Sequence, residues 1–174
     1  MDMVENYNIT IVAISDIKLN ETIKALIKSS IGIHPAKTIL FTSKNVKLNK
    51  FQESIINLIK IAPINSLRDY SNFVIYSLFK YLETSHTLIV QWDGYICNKE
   101  KWNHNFLNFD YIGAPFIPRY SDKKYCRDAF NAFYSIGNGG FSLRSTKLLE
   151  APSKYKLKDN KLYMQKMRLL SIQK

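Results

Sequence analysis

Cysteine, glycine and long apolar runs are scarce in this sequence of 174 residues. The two cysteines, Cys97 and Cys126, stand alone without C-x-x-C spacing, so neither a disulfide framework nor a zinc site is predicted. No run approaches the ~18 apolar residues that a membrane-spanning helix needs, and the N-terminal residues lack a basic segment followed by a long apolar core. We therefore expect a protein of the reducing cytoplasm that is at most peripheral to a membrane.

Acidic residues are also scarce beside basic ones. The 25 Lys and Arg residues against 14 Asp and Glu residues give a formal net charge of +11. This excess favours an anionic partner such as a nucleotide diphosphate, a nucleic acid or an anionic membrane surface. The lysines are scattered, the aromatic residues occur at core-like spacing, and no RNA-binding or helix-turn-helix pattern accompanies them. We therefore rank a nucleic-acid partner last and expect none.

The order of apolar segments predicts a single α/β domain. The composition, 46% apolar and 22% charged, is globular, and no Pro/Gly/Ser-rich linker divides the chain. Residues 8–14 contain a β-branched run that predicts a strand buried on both faces. Asn20 and Gly32 are expected to begin and end a helix, and residues 37–42 predict a second strand. This is the pattern of a βαβ unit, whose strands are parallel.

Two further helices and a strand are predicted downstream. Residues 51–62 carry apolar side chains at helical spacing and predict a helix that packs on the sheet. Ser66 and Asp69 form an S-x-x-D capping box before residues 70–83, which predict a central helix because they are apolar on nearly every side. Residues 87–90 predict a buried strand. The alternation favours a mainly parallel sheet with helices on both faces, where ligands bind beyond the carboxyl ends of the strands.

The segment Gln91-Trp92-Asp93-Gly94-Tyr95 follows this last strand and has two interpretations. Asp-Gly between apolar runs is typical of a two-residue hairpin turn. A carboxylate at a strand end is also the ligand that a hard divalent cation uses when phosphates supply its other oxygens. Both interpretations stay open on the sequence.

Three of the six glycines, Gly137, Gly139 and Gly140, fall within four consecutive residues. Glycine is required where φ is positive or where another group approaches the backbone too closely for a Cβ atom. The spacing matches neither a P-loop nor a dinucleotide fingerprint. This stretch therefore predicts either a tight turn or the wall of a ligand site. Upstream, residues 109–116 (FDYIGAPF) predict a strand that ends in a turn.

The segments VQWDGYICNKEKWNHNFLNFDYIGAPF and IGNGGFSLRS together resemble a family of bacterial and viral proteins classed as a domain of unknown function. Members of that family are regarded as candidate glycosyltransferases of the GT-A fold, and the resemblance covers residues 87–150. It implies one GT-A-like domain over residues 1–174, short at its C-terminus. The nucleotide-binding half would span about residues 8–97 and the donor and acceptor half about residues 98–174.

The resemblance also implies roles for individual residues. Asp93, in the counterpart of the D-x-D motif, would hold Mn²⁺ or Mg²⁺ against the diphosphate of a nucleotide-sugar donor. Gly139 and Gly140 would form a floor beneath the donor sugar and a glycan or lipid-linked acceptor, with Asn138 and Arg144 offering polar contacts. The remaining donor-binding candidates are Ala13, Ser15 and Asp16 at the base pocket, Arg68 at the diphosphate or ribose, and Gln91 and Gly94 beside the metal.

The catalytic base is the position at which this sequence departs from the resembling proteins. They carry a Glu-Asp pair where this chain has Asn160-Lys161, with Asp159 one residue earlier. Asp159 is the first candidate base and Asp110 the second. Two functions from this resemblance stay open: a metal-dependent glycosyltransferase, retaining or inverting, and a catalytically degenerate module of the same fold that binds a nucleotide or sugar.

Overall fold

The computed structural model describes residues 7–115 and 136–157, which build a six-stranded mixed sheet flanked by helices. The strands are β1 (Tyr7–Ile14), β2 (Pro35–Thr42), β3 (Asn57–Lys60), β4 (His86–Ile89), β5 (Tyr111–Pro115) and β6 (Ile136–Ser145). The α-helices are α1 (Leu19–Ile33), α2 (Lys50–Glu53), α3 (Leu67–Tyr76) and α4 (Thr146–Lys154). Short 3-10 helices span Leu78–Tyr81, Lys99–Lys101 and His104–Asn108.

The strand order is β3-β2-β1-β4-β6-β5, and most neighbours are parallel. Strand β1 pairs in parallel with β2 and β4, and β2 pairs in parallel with β3. Strand β6 runs antiparallel to both β4 and β5. The chain therefore builds outward from β1 on one side, then returns to add β4 on the other. The predicted α/β fold is confirmed, and the architecture is consistent with the Rossmann-like and GT-A-like class.

Strand β1 lies at the centre of two hydrophobic cores, one on each face of the sheet. Ile11 of this strand lies in the core between the sheet and α1, and the next residue, Val12, lies in the core between the sheet and helices α3 and α4. Both side chains are fully buried. Because successive side chains of a strand point to opposite faces, a strand covered on both sides needs a continuous apolar run. Burial on both faces therefore explains the apolar run at residues 8–14, and the strand predicted there is confirmed.

Helix α1 differs from its prediction at both ends. It begins after Lys18, which has a left-handed φ of 46°, so Asn20 lies inside its first turn. It ends at His34, with a φ of 44°, so Gly32 does not end the helix. An added Cβ on Gly32 would lie 3.4 Å from Cβ of Lys99, an ordinary packing distance, so the segment after β4 packs against this part of the helix.

The predicted helix over residues 51–62 is wrong. Helix α2 is a single turn, begun by a reciprocal capping box between Asn49 and Gln52, and the chain then enters β3. Ile56 is buried, whereas Phe51 is 57% exposed, so the supposed helical face is not a buried one. Strand β3 forms hydrogen bonds with the backbone of β2, and a longer helix here would leave those backbone groups of β2 unpaired at the edge of the sheet.

The predicted central helix over residues 70–83 is also corrected. Ser66 caps α3 as expected, accepting a hydrogen bond from the Asp69 amide, but the helix ends at Tyr76 and a 3-10 turn follows. Val74 is the buried side chain of α3. The aromatic side chains of residues 70–83 pack on one face of the sheet, where the ring centroids of Phe41 and Phe73 lie 5.2 Å apart.

Substitutions in residues 51–56 test this correction. Ile56→Ala should lower the free energy of unfolding by about 2–4 kcal/mol, because it leaves a cavity in the core. Phe51→Ser should change it by less than about 0.5 kcal/mol, because the ring is largely in solvent. Urea denaturation followed by circular dichroism measures both. Equal losses for the two variants would favour the longer packed helix.

Candidate functional site

A cavity of about 410 Å³ lies at the carboxyl ends of β1 and β4. Its walls come from the end of β1, the loop that enters α3, the first turns of α3, and the residues after β4. The lining residues are Ala13, Ile14, Ser15, Asp16, Ile17, Thr22, Ile64, Asn65, Ser66, Leu67, Tyr70, Val90, Gln91 and Trp92.

The position of this cavity is set by the strand order. From β1 the chain first adds β2 and β3 on one side and later β4 on the other, so β1 and β4 flank the point at which the order reverses. In open α/β sheets, ligands bind in the crevice outside the carboxyl ends of the strands at such a point. Ala13, Ser15, Asp16 and Gln91, all predicted from the sequence to bind the donor, are brought together here.

Asp16 accepts four hydrogen bonds from the protein itself. Its Oδ1 accepts from the Thr42 hydroxyl at 2.8 Å and the Ser43 amide at 2.7 Å. Its Oδ2 accepts from the Ser43 hydroxyl at 2.7 Å and the Ile64 amide at 2.8 Å. A carboxylate offers about four lone-pair sites, and all four are filled. Asp16 therefore shapes the wall of the cavity and has no lone pair left for a ligand.

The same hydrogen bonds control the charge of Asp16. Burial acts to raise the pKa of its carboxyl, but the bonds from the Ile64 amide, the Ser43 amide and hydroxyl, and Thr42 outweigh burial and lower the pKa to about 2. The carboxylate is thus held ionised and ties the end of β1 to the end of β2 and to the loop before α3. Two of these segments, the end of β1 and the loop before α3, frame the cavity.

Tyr70 is a cavity residue that the sequence did not single out. Its hydroxyl is buried and makes no hydrogen bond of good geometry with the described residues, although the Gln91 side chain lies near enough to affect its pKa. Burial raises the pKa of this hydroxyl, and the nearby Gln91 side chain and Arg144 charge reduce the rise without cancelling it. A buried hydroxyl without a partner is costly, so a polar ligand group beside Tyr70 would be favoured. The sequence feature that could have indicated Tyr70 is its position in the first turn of the helix that Ser66 caps.

The segment after β4 forms a tight turn whose central residues are Trp92 and Asp93. The Gln91 amide donates to the Gly94 carbonyl at 2.8 Å, and the Gly94 amide donates back to Gln91 at 3.1 Å. The turn interpretation is therefore correct, with the loop one residue earlier than Asp-Gly. Asp93 is exposed at the tip. A turn and a metal-binding carboxylate are compatible, because the turn leaves this side chain in solvent at the strand end.

Two contacts position the turn against its surroundings. An added Cβ on Gly94 would lie 3.0 Å from Cβ of Phe141, so glycine lets the turn pack closely against β6. The ammonium group of Lys18 lies 3.3 Å from the centroid of the Trp92 ring, within the range of a cation–π contact. The turn is thus held between the N-terminus of α1 and β6.

The glycine-rich stretch forms a bulge in β6. Ser142 pairs with Gly113 and the next paired residue is Asn138, opposite Ala114, so residues 139–141 lie between successive pairs. Bulges often re-aim side chains beside functional sites. Since β6 is antiparallel to β4, this bulge lies at the same sheet edge as the Asp93 turn.

Arg144 is the group that lies closest to Gly139. No described glycine has a positive φ. A Cβ on Gly139 would lie 2.8 Å from Nη2 of Arg144, which donates to the Gly139 carbonyl at 3.4 Å. Its Nε donates to the Ser142 hydroxyl at 3.1 Å, and its guanidinium lies 5.3 Å from the Tyr111 ring centroid. The group that approaches this backbone is therefore an arginine of the same strand.

The remaining predicted residues lie elsewhere. Arg68 is exposed on the first turn of α3, beside the lining residue Leu67. Asp110 lies before β5 at the opposite sheet edge, where its Oδ1 accepts a 2.6 Å hydrogen bond from the Ser145 hydroxyl. Asp159 lies outside the described residues. The structure therefore does not bring Asp110 together with the Asp93 turn.

The predicted metal site depends on a single carboxylate, that of Asp93. Within residues 7–115 and 136–157, no group of three or more His, Cys, Asp or Glu side chains is placed to hold a metal ion. Mg²⁺ commonly binds through one or two carboxylates, with waters and substrate phosphates supplying its other oxygens. The lone pairs of Asp16 are filled, whereas Asp93 is exposed on the turn next to the lining residue Trp92, so Asp93 is the predicted metal-binding carboxylate that is open to a ligand.

Comparison with known proteins gives a family but no function. A family model described as "Protein of unknown function (DUF5672)" matches residues 53–168, more than half of the chain. The matched range includes Tyr70, the Asp93 turn and β6, whereas β1, α1 and β2 precede it. No curated protein matches the chain. In addition, no helix in the described part of the chain is long and apolar enough to cross a membrane.

Substitution of Asp16 tests its structural role. Asp16→Asn should lower the free energy of unfolding by about 1–3 kcal/mol, because an amide cannot accept all four bonds. The folded-state pKa of Asp16 is lowered, so its contribution to stability is complete above the ordinary carboxyl pKa of about 4 and is lost as pH falls toward 2. Urea denaturation between pH 6 and pH 2 measures this.

The control is Asp93→Asn, which makes the same chemical change at an exposed turn and should alter stability by less than about 0.5 kcal/mol. The stability of the Asp16→Asn variant should also fall less steeply between pH 4 and pH 2 than that of the wild type. Parallel pH profiles for the wild type and Asp16→Asn would contradict the assigned role.

Proposed function

The chain belongs to DUF5672, a family of proteins of unknown function, and we propose that it is a glycosyltransferase. It would move a sugar from a nucleotide-sugar donor to an acceptor hydroxyl, in the synthesis of a glycan or surface polysaccharide. One observation carries the proposal: the cavity at the reversal of strand order between β1 and β4. That place is where α/β sheets bind nucleotides.

The lining of the cavity suits a nucleotide. Its volume of about 410 Å³ lies within the usual range of small-molecule sites. The rings of Tyr70 and Trp92 supply flat apolar surface for a base, and Asn65 and Gln91 supply amide groups that can form hydrogen bonds to its edge. The Tyr70 hydroxyl, which makes no hydrogen bond of good geometry with the described residues, would gain one from the bound ligand.

The charged groups at the rim suit a diphosphate. The Lys18 ammonium lies over the ring of the lining residue Trp92, and the exposed Arg68 follows the lining residue Leu67 on α3. Asp93 would hold Mn²⁺ or Mg²⁺, and such an ion, when bound, would neutralise charge on the diphosphate leaving group. The bulge at Gly139 and Gly140, with Arg144 across it, would face the donor sugar.

The chemistry of transfer needs one more residue. The bond between the sugar and the diphosphate breaks, a bond to the acceptor oxygen forms, and the acceptor proton passes to a base. Asp110 lies at the opposite sheet edge and is bonded to Ser145, so we do not include it in this proposal. Asp159 remains the predicted base, with Asn160 and Lys161 beside it.

A binding module without turnover is the second candidate. It is favoured by the use of Asp16 and Asp110 in hydrogen bonds that fasten the fold. Turnover separates the two functions: donor hydrolysis and transfer by the wild type, lost in Asp159→Ala, would support the enzyme. Activity gained only in the Asn160→Glu/Lys161→Asp variant would support the binding module.

We propose that the protein acts in the cytoplasm, with peripheral contact to an anionic membrane where the acceptor is lipid-linked. Nucleic acid has no part in this proposal.

Calorimetry with UDP and GDP, with and without Mn²⁺, tests the site. For the nucleotide that binds, Asp93→Asn should weaken Mn²⁺-dependent binding at least tenfold, about 1.4 kcal/mol, because the amide keeps the shape and removes the charge. Binding without metal should be unchanged. Tyr70→Phe should weaken binding in both conditions, because it removes the hydroxyl.

Glu53→Gln is the matched control, since it removes an exposed acidic charge on α2, away from the cavity lining. It should bind nucleotide as the wild type does. If neither nucleotide binds the wild type, or if Asp93→Asn and Glu53→Gln behave alike, the assignment of Asp93 to the diphosphate is wrong.

A further inference from the structure

A second cavity lies between α1 and the turn after β4. Its volume is about 380 Å³, and it is lined by Glu21, Lys24, Ala25, Ile27, Lys28, Trp92 and Tyr95. Trp92 lines both this cavity and the one at the strand ends. The two are therefore neighbours that share one aromatic wall.

The helix that forms one wall is basic on this face. Lys24 and Lys28 are one turn apart on α1, so their side chains project from the same side. Both are exposed, and no carboxylate within the described residues lies at ion-pair distance from either. Like charges at this spacing repel each other, and an anion between them would relieve the repulsion. Glu21 is the opposing charge on the same face.

Aromatic rings form the opposite wall. The ammonium of Lys28 lies 5.1 Å from the centroid of the Tyr95 ring, within cation–π range. The wall is fixed to α1, because the Ile96 amide donates a 3.2 Å hydrogen bond to the buried Ser29 hydroxyl. The cavity thus has a fixed aromatic side and a positively charged side.

We propose that this cavity binds the phosphate group of a phosphorylated saccharide, which is the acceptor of the transferase. Lysine ammonium groups bind phosphate as point charges. The adjoining rings offer apolar surface to the saccharide, and the shared Trp92 wall brings it beside the donor cavity. The term acceptor rests on the proposed function, whereas the binding of a sugar phosphate does not.

The probes are glucose 6-phosphate and, as the uncharged match, glucose. Amide chemical shifts of ¹⁵N-labelled protein are followed during titration, once without nucleotide and once with saturating UDP. Glucose 6-phosphate should bind in both titrations, and glucose should not. Lys24→Ala/Lys28→Ala should weaken binding at least tenfold, and Glu21→Gln should strengthen it two- to threefold. Thermal melts confirm that the variants fold.

Lys147→Ala is the matched control, because it removes an exposed lysine from α4, which packs on the other sheet face. It should bind glucose 6-phosphate within twofold of the wild type. Unchanged binding by the Lys24/Lys28 double variant would overturn the proposal. Competition between UDP and glucose 6-phosphate would also overturn it, by assigning the lysines to the donor.

A last arm separates a soluble acceptor from a membrane. Vesicles of phosphatidylcholine with phosphatidylglycerol are sedimented with the wild type and the double variant. Vesicle binding that needs Lys24 and Lys28, without any binding of glucose 6-phosphate, would replace the saccharide with a lipid surface. Failure of both UDP and GDP to bind, with glucose 6-phosphate still bound, would reject the transferase and leave the phosphate site standing.

Discussion

The carboxylate of Asp16 is the interaction on which the shape of the site depends. It receives two hydrogen bonds from backbone amides and two from hydroxyls, and these donors come from the end of β2 and from the loop before α3. Strand pairing fixes the sheet but not the loops at its edge. Asp16 joins those loops to the end of β1, and the depressed pKa of its carboxyl is the measure of how strongly its ionised form is held.

How far the sequence could predict the fold depended on where each segment is buried. Strand β1 was predictable because it is covered on both faces and its composition shows this. The Ser66 cap was predictable because capping is local. The segment that ends in β3 was not, because short Ile-rich runs fit helix and strand alike and the choice was made by pairing with β2.

The candidate site divides in the same way. The position of Asp93 was predictable, because a residue that directly follows a buried strand of an α/β sheet lies at the edge where ligands bind. The edge at which Asp110 lies follows from the antiparallel direction of β6, which no local pattern encodes. Tyr70 was not predicted, because its place in the cavity depends on how α3 packs against the sheet. The glycine-rich stretch was predicted to lie close to another group. At Gly139 that group is the side chain of Arg144, which belongs to the same strand, β6.

Trp92 lines both cavities, so a ligand that moved its ring in one cavity would change the shape of the other. Thermodynamic linkage then requires the effect to be mutual: whatever donor binding does to affinity on the α1 side, binding there does to the donor by the same factor. The Lys18 ammonium lies 3.3 Å from the centroid of this ring, so any movement of the ring would also have to break this cation–π contact or carry Lys18 with it.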